Sequence, residues 1–361
     1  MFIKSIRNLL GKFVVTGTLF MILYPLPCNC AQWINPKLLV RDPAIVRLQQ
    51  GRTALTEREK QDIHKYGYTG LELMTYADSN MRPDKSWDKF VRAAIVSPGG
   101  HIKYFEWLNK DKYYYKDFRS LLNYDGIRPG DVMKKFTGIY LEPPERRYRG
   151  YLYYMYLTSM EKHQKDKEGW AWVHSLRRYR RSPTTPKSDH WLASVLTYDD
   201  YLLRRPWEEK HIIIGRGNHK GNKCLIIESR NILDPDYYLS KRVSWVEEQN
   251  YLTLHEEQFA KNGKICLITD KSWDQVKPGN YWVITEWNSV NPVTGERIVL
   301  MYSDFRLNLG LKDGEFLPAY MGKEHIWKRP EKPMPPIKHV SELPPVPVRD
   351  IEFRDKLQRD N

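Results

Sequence analysis

The segment Asn262–Arg306 reads NGKICLITDKSWDQVKPGNYWVITEWNSVNPVTGERIVLMYSDFR, and it decides the fold. It holds three runs of β-branched and aromatic residues, 264–272, 280–288 and 296–306, separated by clusters of Pro, Gly and Asn. Runs of this composition between turn residues are typical of β-strands. The connections are far shorter than the dozen residues that a parallel crossover needs, so neighbouring strands must be antiparallel. The segment therefore predicts an up-and-down meander.

The same strand pattern extends toward the N-terminus as far as Ser86. Asn109-Lys110-Asp111 and Gly217–Gly221 contain turn residues, and we expect a turn and a hairpin loop there. The further predicted strands are 87–96, 101–108, 118–124, 136–141, 149–158, 169–175, 210–216, 223–230, 240–248 and 251–259. Together they predict a mainly β (α+β) domain with a large antiparallel sheet.

Two helices are predicted from capping residues. Thr56 can cap the start of the first helix, and Glu59, three residues later, completes a capping box. Gly67 and Gly70 are expected to end this helix. A second, short helix is expected over 197–203, where Thr197 can act as the N-cap.

The N-terminus has the pattern of a secretory signal peptide. Lys4, Arg7 and Lys12 form a positive region before an apolar stretch, 13–26. This stretch has roughly 14 residues, against about 20 that a membrane-spanning helix needs. An uncleaved membrane anchor is the alternative. The predicted organisation is a signal peptide 1–31, a helical and irregular segment 32–85, a β domain 86–327 and a flexible proline-rich tail 328–361.

The formal net charge of +14 fits nucleic acid, anionic lipid or lipopolysaccharide as a partner. Export from the cytoplasm removes a protein from nucleic acid, so we expect no nucleic-acid partner. The predicted location is the periplasm, with association with the outer membrane left open.

Cys224 and Cys266 are the two cysteines that follow the signal segment. In an oxidising compartment they could form a disulfide, and two buried thiols are an equal alternative. The sequence has no C-x-x-C spacing, no H-E-x-x-H, no G-x-S-x-G and no Walker loop. We therefore expect neither a metal site nor a cofactor, and a protein that is not an enzyme.

The densest run of functional residue types is Trp170–Ser182, where an aromatic strand continues into four arginines. Strand alternation would place neighbouring arginines on opposite faces. Some of them would then reach inward and pair with Asp189, Asp199 or Asp200, because arginine suits forked pairing with carboxylates. A solvated basic face is the alternative interpretation.

The run Trp170–Tyr201 resembles a motif of proteobacterial outer-membrane lipoprotein-sorting domains, which are relatives of the LolA and LolB carriers. Two later strands, 223–229 and 238–246, are also similar to strands of that family. Where the family has Phe-x-Gly, this chain has Trp191-Leu192-Ala193, so a glycine of the family pattern is absent. The matching positions are Leu176, Arg177, Arg178, Arg180, Arg181, Asp189, Thr197, Tyr198, Asp200 and Tyr201.

The resemblance implies a curved antiparallel sheet that forms an incomplete barrel, with a few helices over an apolar cavity. It implies a periplasmic carrier of lipid or lipoprotein acyl chains between the inner and outer membranes. The alternative is a non-enzymatic envelope scaffold, or an accessory protein of an RND-type transporter in the inner membrane. The predicted cavity residues are Phe105, Trp107, Tyr154, Tyr156, Trp172, Trp245, Tyr281, Val283 and Trp287. Residues expected to brace the sheet to the short helix, or to contact lipid phosphates, are Arg177, Arg178, Arg180, Arg181, Asp189, Tyr198 and Asp200.

Overall fold

The computed structural model describes residues 54–80, 86–114, 132–156, 167–183, 185–202, 204–277, 280–323, 327–330 and 335–349. The predicted signal peptide, the predicted strand 118–124 and the chain beyond Arg349 lie outside these ranges. The strands are β1 (Ser86–Val96), β2 (Ile102–Tyr113), β3 (Val132–Glu142), β4 (Gly150–Tyr156), β5 (Lys167–Val173), β6 (Arg178–Ser182), β7 (Glu209–His219), β8 (Asn222–Asn231), β9 (Leu239–Glu247), β10 (Thr253–Ala260), β11 (Ile265–Val276), β12 (Tyr281–Val290) and β13 (Arg297–Leu307). The helices are α1 (Glu57–Tyr66), α2 (Gly70–Asn80) and α3 (Tyr198–Leu202).

These strands form one antiparallel sheet in the order β6-β5-β4-β3-β2-β1-β13-β12-β11-β10-β9-β8-β7. Every neighbouring pair except β1 and β13 is consecutive in the chain, so the sheet consists of two meanders joined where the first strand pairs with the last. The sheet is not closed, and β6 and β7 are its two edges. The prediction of a mainly β, incomplete barrel is confirmed.

Three local predictions need correction. Asn109-Lys110-Asp111 is not a turn, because each of these residues pairs with both β1 and β3 inside strand β2. The loop expected at Gly217–Gly221 is shorter, since β7 continues to His219 and the chain reverses at Lys220 and Gly221. Strand β6 was missed, because an arginine-rich run carries little of the composition that marks a strand.

The first helix begins where the capping pattern predicts. Thr56 Oγ1 accepts a hydrogen bond from the amide of Glu59, while the Glu59 carboxylate accepts one from the amide of Thr56. The helix ends at Gly67, which has a left-handed conformation. Gly70 begins α2 rather than ending α1, so the chain forms two successive helices.

One side of the sheet, called here the inner face, is covered by α2 and by the segment 190–202. Leu73 of α2 packs with Leu225 and Val246 of the sheet in one apolar cluster. Trp191 and Leu196 of the covering segment pack in a larger cluster on β1, β2, β12 and β13. Helices and loop thus cover one side of the sheet, as the family resemblance implies.

The other side of the sheet, the outer face, is covered by segments that follow β13. Phe316 packs against Leu152 of β4, and Ile337 and Leu343 of the proline-rich tail are buried against Val299 of β13. The described part of the tail, expected to be flexible, is therefore packed against the sheet through these two side chains. Within the described ranges, no helix has both the length and the apolar character needed to cross a membrane.

Candidate functional site

A cavity of about 520 Å³ lies between the inner face of β3, β4 and β5 and the covering segment 190–202. Its volume falls in the range of about 300–1,000 Å³ that is typical of ligand sites. The walls are mostly aromatic and apolar, with arginines at one side. The lining residues are Phe136, Tyr140, Arg146, Arg149, Gly150, Tyr151, Tyr153, Ala171, Trp172, Val173, His190, Trp191, Leu192, Ala193, Tyr198 and Tyr201.

Two tyrosine rings of β4 line the cavity: Tyr151 lies over Gly138 of β3, and Tyr153 lies over Gly169 of β5. A side chain at Gly138 would meet the Tyr151 ring, and one at Gly169 would meet the Tyr153 ring at 2.5 Å. Both tyrosine rings can therefore lie over the adjacent strand. Tyr151 is held there by the hydrogen bond that its hydroxyl donates to Asn109 Oδ1, at 2.7 Å.

The covering segment is a tight loop held by its own backbone. The amide of Trp191 donates to the carbonyl of Leu196 at 2.7 Å, and Ser194 Oγ donates to the carbonyl of Trp191 at 2.7 Å. The Trp191 ring stacks on Tyr201, with centroids 3.7 Å apart, and meets Trp107 edge to face. Leu192 and Ala193 have positive φ values of 55° and 53°, so the loop needs left-handed backbone where the family pattern has glycine.

Burial raises the pKa of the cavity tyrosines above an ordinary value at which they are already neutral. It raises the pKa of Tyr140 to about 12, although the nearby Arg146 acts in the opposite direction. Burial also raises the pKa of Tyr151 and of Tyr201 well above the ordinary value. Neutral phenol groups in a dry wall present mainly their rings, so the cavity offers apolar surface to a ligand.

Positive charge lies beside this apolar surface. The Arg146 guanidinium lies over the Phe105 ring, 5.0 Å from its centroid, and over the Tyr140 ring at 5.9 Å. Arg149 is exposed, and His190 Nδ1 is 2.7 Å from the carbonyl of Ser194. A ligand with an apolar chain and an anionic group would find both of its parts matched here.

The covering segment ends in α3, which is fixed by a buried arginine. Thr197 caps the helix through Asp200, as predicted. Arg204 forms ion pairs with Asp199 at 2.8 Å and with Asp200 at 2.5 Å. Burial lowers the pKa of Arg204, but the carboxylates raise it more strongly, and the net pKa lies well above the ordinary value.

Beside the apolar cluster of α2, the inner face also carries buried charges. Arg242 pairs with Glu209 and with Glu256, the latter at 2.9 Å, and all three are buried. Burial acts to raise the pKa of Glu256, yet Arg242 and its other cationic neighbours hold it well below the usual range. A cavity of only about 60 Å³ remains in this region. The large aromatic cavity lies in the half of the inner face that holds β3, β4 and β5.

Phe105, Trp107, Val283 and Trp287, predicted as cavity residues, lie on the inner face. Phe105 and Trp107 are fully buried in the core beneath the covering segment. Val283 and Trp287 line a separate cavity of about 60 Å³. The half-buried Tyr281 lies at the first position of β12. None of these five is among the residues lining the large cavity.

Three other predicted cavity residues lie on the outer face, which is a correction. Tyr154 packs in the outer cluster with Phe316, and its hydroxyl donates to the carbonyl of that residue at 2.5 Å. Tyr156 follows Tyr154 at alternate spacing, and its hydroxyl donates to Glu168. Trp245 packs with Cys224 and Ile226 in the outer cluster.

Trp172 contacts both the large cavity and the outer-face cluster. It borders the large cavity, yet its indole ring belongs to the outer cluster and lies against Gly322. Strand β4 reads GYLYYMY, with tyrosines on both faces, so composition alone could not identify its inner side. The lining residues Tyr151 and Tyr153 were missed for that reason.

The four predicted arginines do not form the brace. Arg178, Arg180 and Arg181 are exposed on edge strand β6, and Arg177 precedes it in a left-handed conformation. Arg181 pairs with Glu168 of β5 at 3.0 Å. The arginines on β6 are exposed to solvent, and Arg204 provides the buried contact instead.

Asp189, Asp200 and Tyr198, predicted to act together with the arginines, lie in different surroundings. Asp189 is exposed, whereas Asp200 is buried and bonded to Arg204. Tyr198 is half-buried, lines the large cavity and has a raised pKa because of burial and the nearby Asp189. Cys224 and Cys266 are free thiols and do not form the disulfide that was one of the two predicted alternatives.

Solved structures share this architecture. A DUF1329 family protein from Desulfovibrio piger has a TM-score of 0.59 and 19% identity, over 74% of this chain and 100% of that chain. A domain described as an outer membrane lipoprotein-sorting protein, from Vibrio parahaemolyticus, has a TM-score of 0.57 and 16% identity, over 70% and 98%. A LolA superfamily protein from Nitrosomonas europaea has a TM-score of 0.48 and 16% identity, over 70% and 99%. No curated protein matches the chain in sequence.

The unclosed sheet with its covered inner face is a LolA-like incomplete barrel, and the resemblance seen in the sequence is confirmed. A family model described as an uncharacterized protein matches residues 133–323, more than half of the chain. The chain belongs to that family.

Proposed function

We propose that this protein is a non-catalytic carrier that holds the acyl chains of a lipid or lipoprotein in the cavity beneath residues 190–202, within the bacterial periplasm. The observation that carries the proposal is the 520 Å³ cavity with aromatic walls and Arg146 at its side. Transfer between the inner and outer membranes is the role that this architecture suits best.

The energetics favour an acyl ligand. Burial of each CH₂ group contributes about 0.8 kcal/mol, so a chain of about sixteen carbons gains on the order of 10 kcal/mol. Release of such cargo requires that the cavity open. The covering segment is the part whose displacement would open the cavity, because it forms one wall of it and contacts the sheet through Trp191.

Cavity filling tests this function. Ala171 lies half-buried in the cavity wall on β5, opposite Tyr151. The variant Ala171→Trp should bind a fluorescent fatty acid at least tenfold more weakly than the parent, because the added ring occupies the space of the chain. Ala319→Trp adds the same ring at an exposed position and should bind like the parent.

The cargo itself is identified by native mass spectrometry of the untagged protein isolated from periplasm. Bound lipid on the parent and its loss in Ala171→Trp are the expected results. Uniformly empty parent protein, or equal probe affinity of parent and Ala171→Trp with unchanged circular dichroism, would contradict the carrier proposal.

The edge strand β6 suits an anionic membrane surface. Its arginines are exposed, and Tyr179 and Leu176 beside them are about half exposed, at 50% and 49%. Exposed arginines with an aromatic residue are suited to phosphate headgroups. Arg180 pairs across the strands with the cavity residue Ala171, so a membrane docked there would lie close to the cavity.

Vesicle co-sedimentation tests this docking. The double variant Arg178→Glu, Arg180→Glu should lose most of its binding to vesicles that contain phosphatidylglycerol, and parent binding should weaken as salt rises. The pair Lys261→Glu, Lys264→Glu makes the same charge change on the exposed β10–β11 turn and should leave binding largely intact. Equal loss in both double variants would indicate a general charge effect and would refute docking through β6.

A further inference from the structure

Two histidines and an aspartate meet on the outer face, far from any spacing motif in the sequence. His255 of β10 and Asp270 of β11 are direct partners in the sheet, and His255 Nδ1 is 2.6 Å from Asp270 Oδ1. His219, at the end of β7, reaches the same oxygen, with its Nε2 3.5 Å away. One potential ligand atom from each residue lies within 4.8 Å of the others.

The β7–β8 hairpin brings His219 to this place by folding over the outer face. The two imidazole rings stack, with centroids 4.8 Å apart and an interplanar angle of 26°. Lys220, the next residue in the turn, places its Nζ 2.7 Å from Asp270 Oδ2. The hairpin tip therefore contacts a strand that is not its neighbour in the sheet.

The surroundings of His255 resemble the support of a metal ligand. Its side chain is fully buried, its ring meets Trp245 edge to face, and its Nε2 points to the buried Glu257, 3.8 Å from Oε1. Histidine ligands commonly direct their second nitrogen to a carboxylate, which fixes the ring orientation. Here Nδ1 is thereby left to face Asp270 and His219.

We propose that His219 Nε2, His255 Nδ1 and the Asp270 carboxylate bind a divalent transition-metal ion, with Zn²⁺ as the best match. Two imidazoles and one carboxylate are a common zinc ligand set that leaves a fourth position for water. Ligand atoms about 2.0–2.1 Å from a tetrahedral ion lie roughly 3.3 Å apart, so the 3.5 Å pair already fits. Rotation of the Asp270 side chain lengthens its 2.6 Å approach to His255 Nδ1, and a small movement of the hairpin adjusts the distance to His219.

The bound ion takes the place of two existing partners of Asp270. It displaces the Lys220 ammonium from the carboxylate, and it binds His255 in the form that has no proton on Nδ1. The ion then fastens the β7–β8 hairpin to β10 and β11. The site is on the face opposite the large cavity, and it does not depend on the proposed carrier function.

Zinc titration of the untagged full chain at pH 7.5, by isothermal calorimetry, tests the site. We expect one ion per chain, a rise in the melting temperature on saturation, and Co²⁺ absorption bands typical of a four-coordinate site. His219→Ala is the main variant, because His219 lies at a hairpin end and its loss should not prevent folding. This variant should bind Zn²⁺ at least tenfold more weakly.

Two further variants complete the experiment. His101→Ala removes an exposed histidine elsewhere and should bind like the parent. Lys220→Ala removes the competing ammonium and should bind more tightly than the parent. The absence of saturable binding below about 100 μM, or an affinity of His219→Ala equal to that of the parent, overturns the proposal.

Discussion

Ala193 occupies a backbone conformation that favours glycine. Its φ of 53° is left-handed, which costs a residue with a Cβ about 1–2 kcal/mol. Replacement by glycine removes this cost, but the greater freedom of glycine in the unfolded chain offsets about 0.4–1 kcal/mol of the gain in stability. We expect Ala193→Gly to stabilise the protein by about 0.5–1 kcal/mol in urea unfolding. Ala260→Gly, in the extended strand β10, should instead destabilise by about 0.5–1 kcal/mol. Stabilisation by neither or by both would contradict this account.

The site residues show what alternation along a strand can and cannot predict. On β2, the polar Glu106 separates Phe105 from Trp107, so the strand period puts both aromatic residues on one face, and they lie together on the inner face. On β9, Trp245 and Val246 are both apolar and buried, one on each face. When both faces of a strand are covered, hydrophobicity no longer identifies the inner side, so the cavity wall could be predicted only in part.

At the scale of elements, Arg204 joins the covering segment to the sheet. It bonds to Asp199 and Asp200, its Nη1 lies 3.9 Å from Glu256 Oε1 of β10, and Gln258 of β10 donates to the same Asp200 at 2.7 Å. Removal of one partner of a buried ion pair typically costs about 3–5 kcal/mol, because the remaining charge is left without compensation. Arg204→Met should therefore lower the free energy of unfolding by this amount.

The control for this variant is Arg178→Met, which removes an exposed arginine and should change the stability by less than about 0.5 kcal/mol. Arg204→Lys keeps the charge but not the forked geometry, and should fall between the two. If Arg204→Met unfolded at the same urea concentration as Arg178→Met, the segment would not be fastened through this residue.

The strands that were predicted well and the strand that was missed differ in composition. Strands β10 to β13 have β-branched and aromatic residues between clear turns, so their order and pairing follow from the chain. Strand β6, RYRRS, forms because β5 offers it backbone partners. Pairing with a neighbour is a property of the sheet, and no pattern within five residues could reveal it.

At the scale of the whole molecule, the two halves of the inner face have different chemistry. The half with β3, β4 and β5 encloses the aromatic cavity, whereas the half under α2 contains the ion pairs of Arg242 and Arg204. Buried ion pairs need both partners charged, and apolar walls do not. The stability of the protein should thus depend on pH mainly through the half under α2.

His211 gives this dependence a measurable form. Its Nε2–H donates to the carbonyl of Pro206, its Nδ1 accepts from Ser229, and α2 lies over it. Burial lowers the pKa of His211 to about 4, against the raising effect of Glu209, and Arg242 also lowers it. Between about pH 6.5 and pH 4 the unfolded chain therefore binds a proton that the folded protein excludes. Stability should fall as the pH drops through this window, by a total on the order of 3 kcal/mol.

Urea unfolding at pH 7.5, 5.5 and 4.5 measures this loss. His211→Gln has no group that titrates in this window at this position, so its stability should fall much less than that of the parent between pH 6.5 and pH 4. His101→Gln, at an exposed position, should follow the parent at every pH. If the parent and His211→Gln lost stability in parallel, the acid sensitivity would come from other groups. A flat profile for the parent itself would mean that the folded protein accepts the proton, and that water reaches His211 beneath α2.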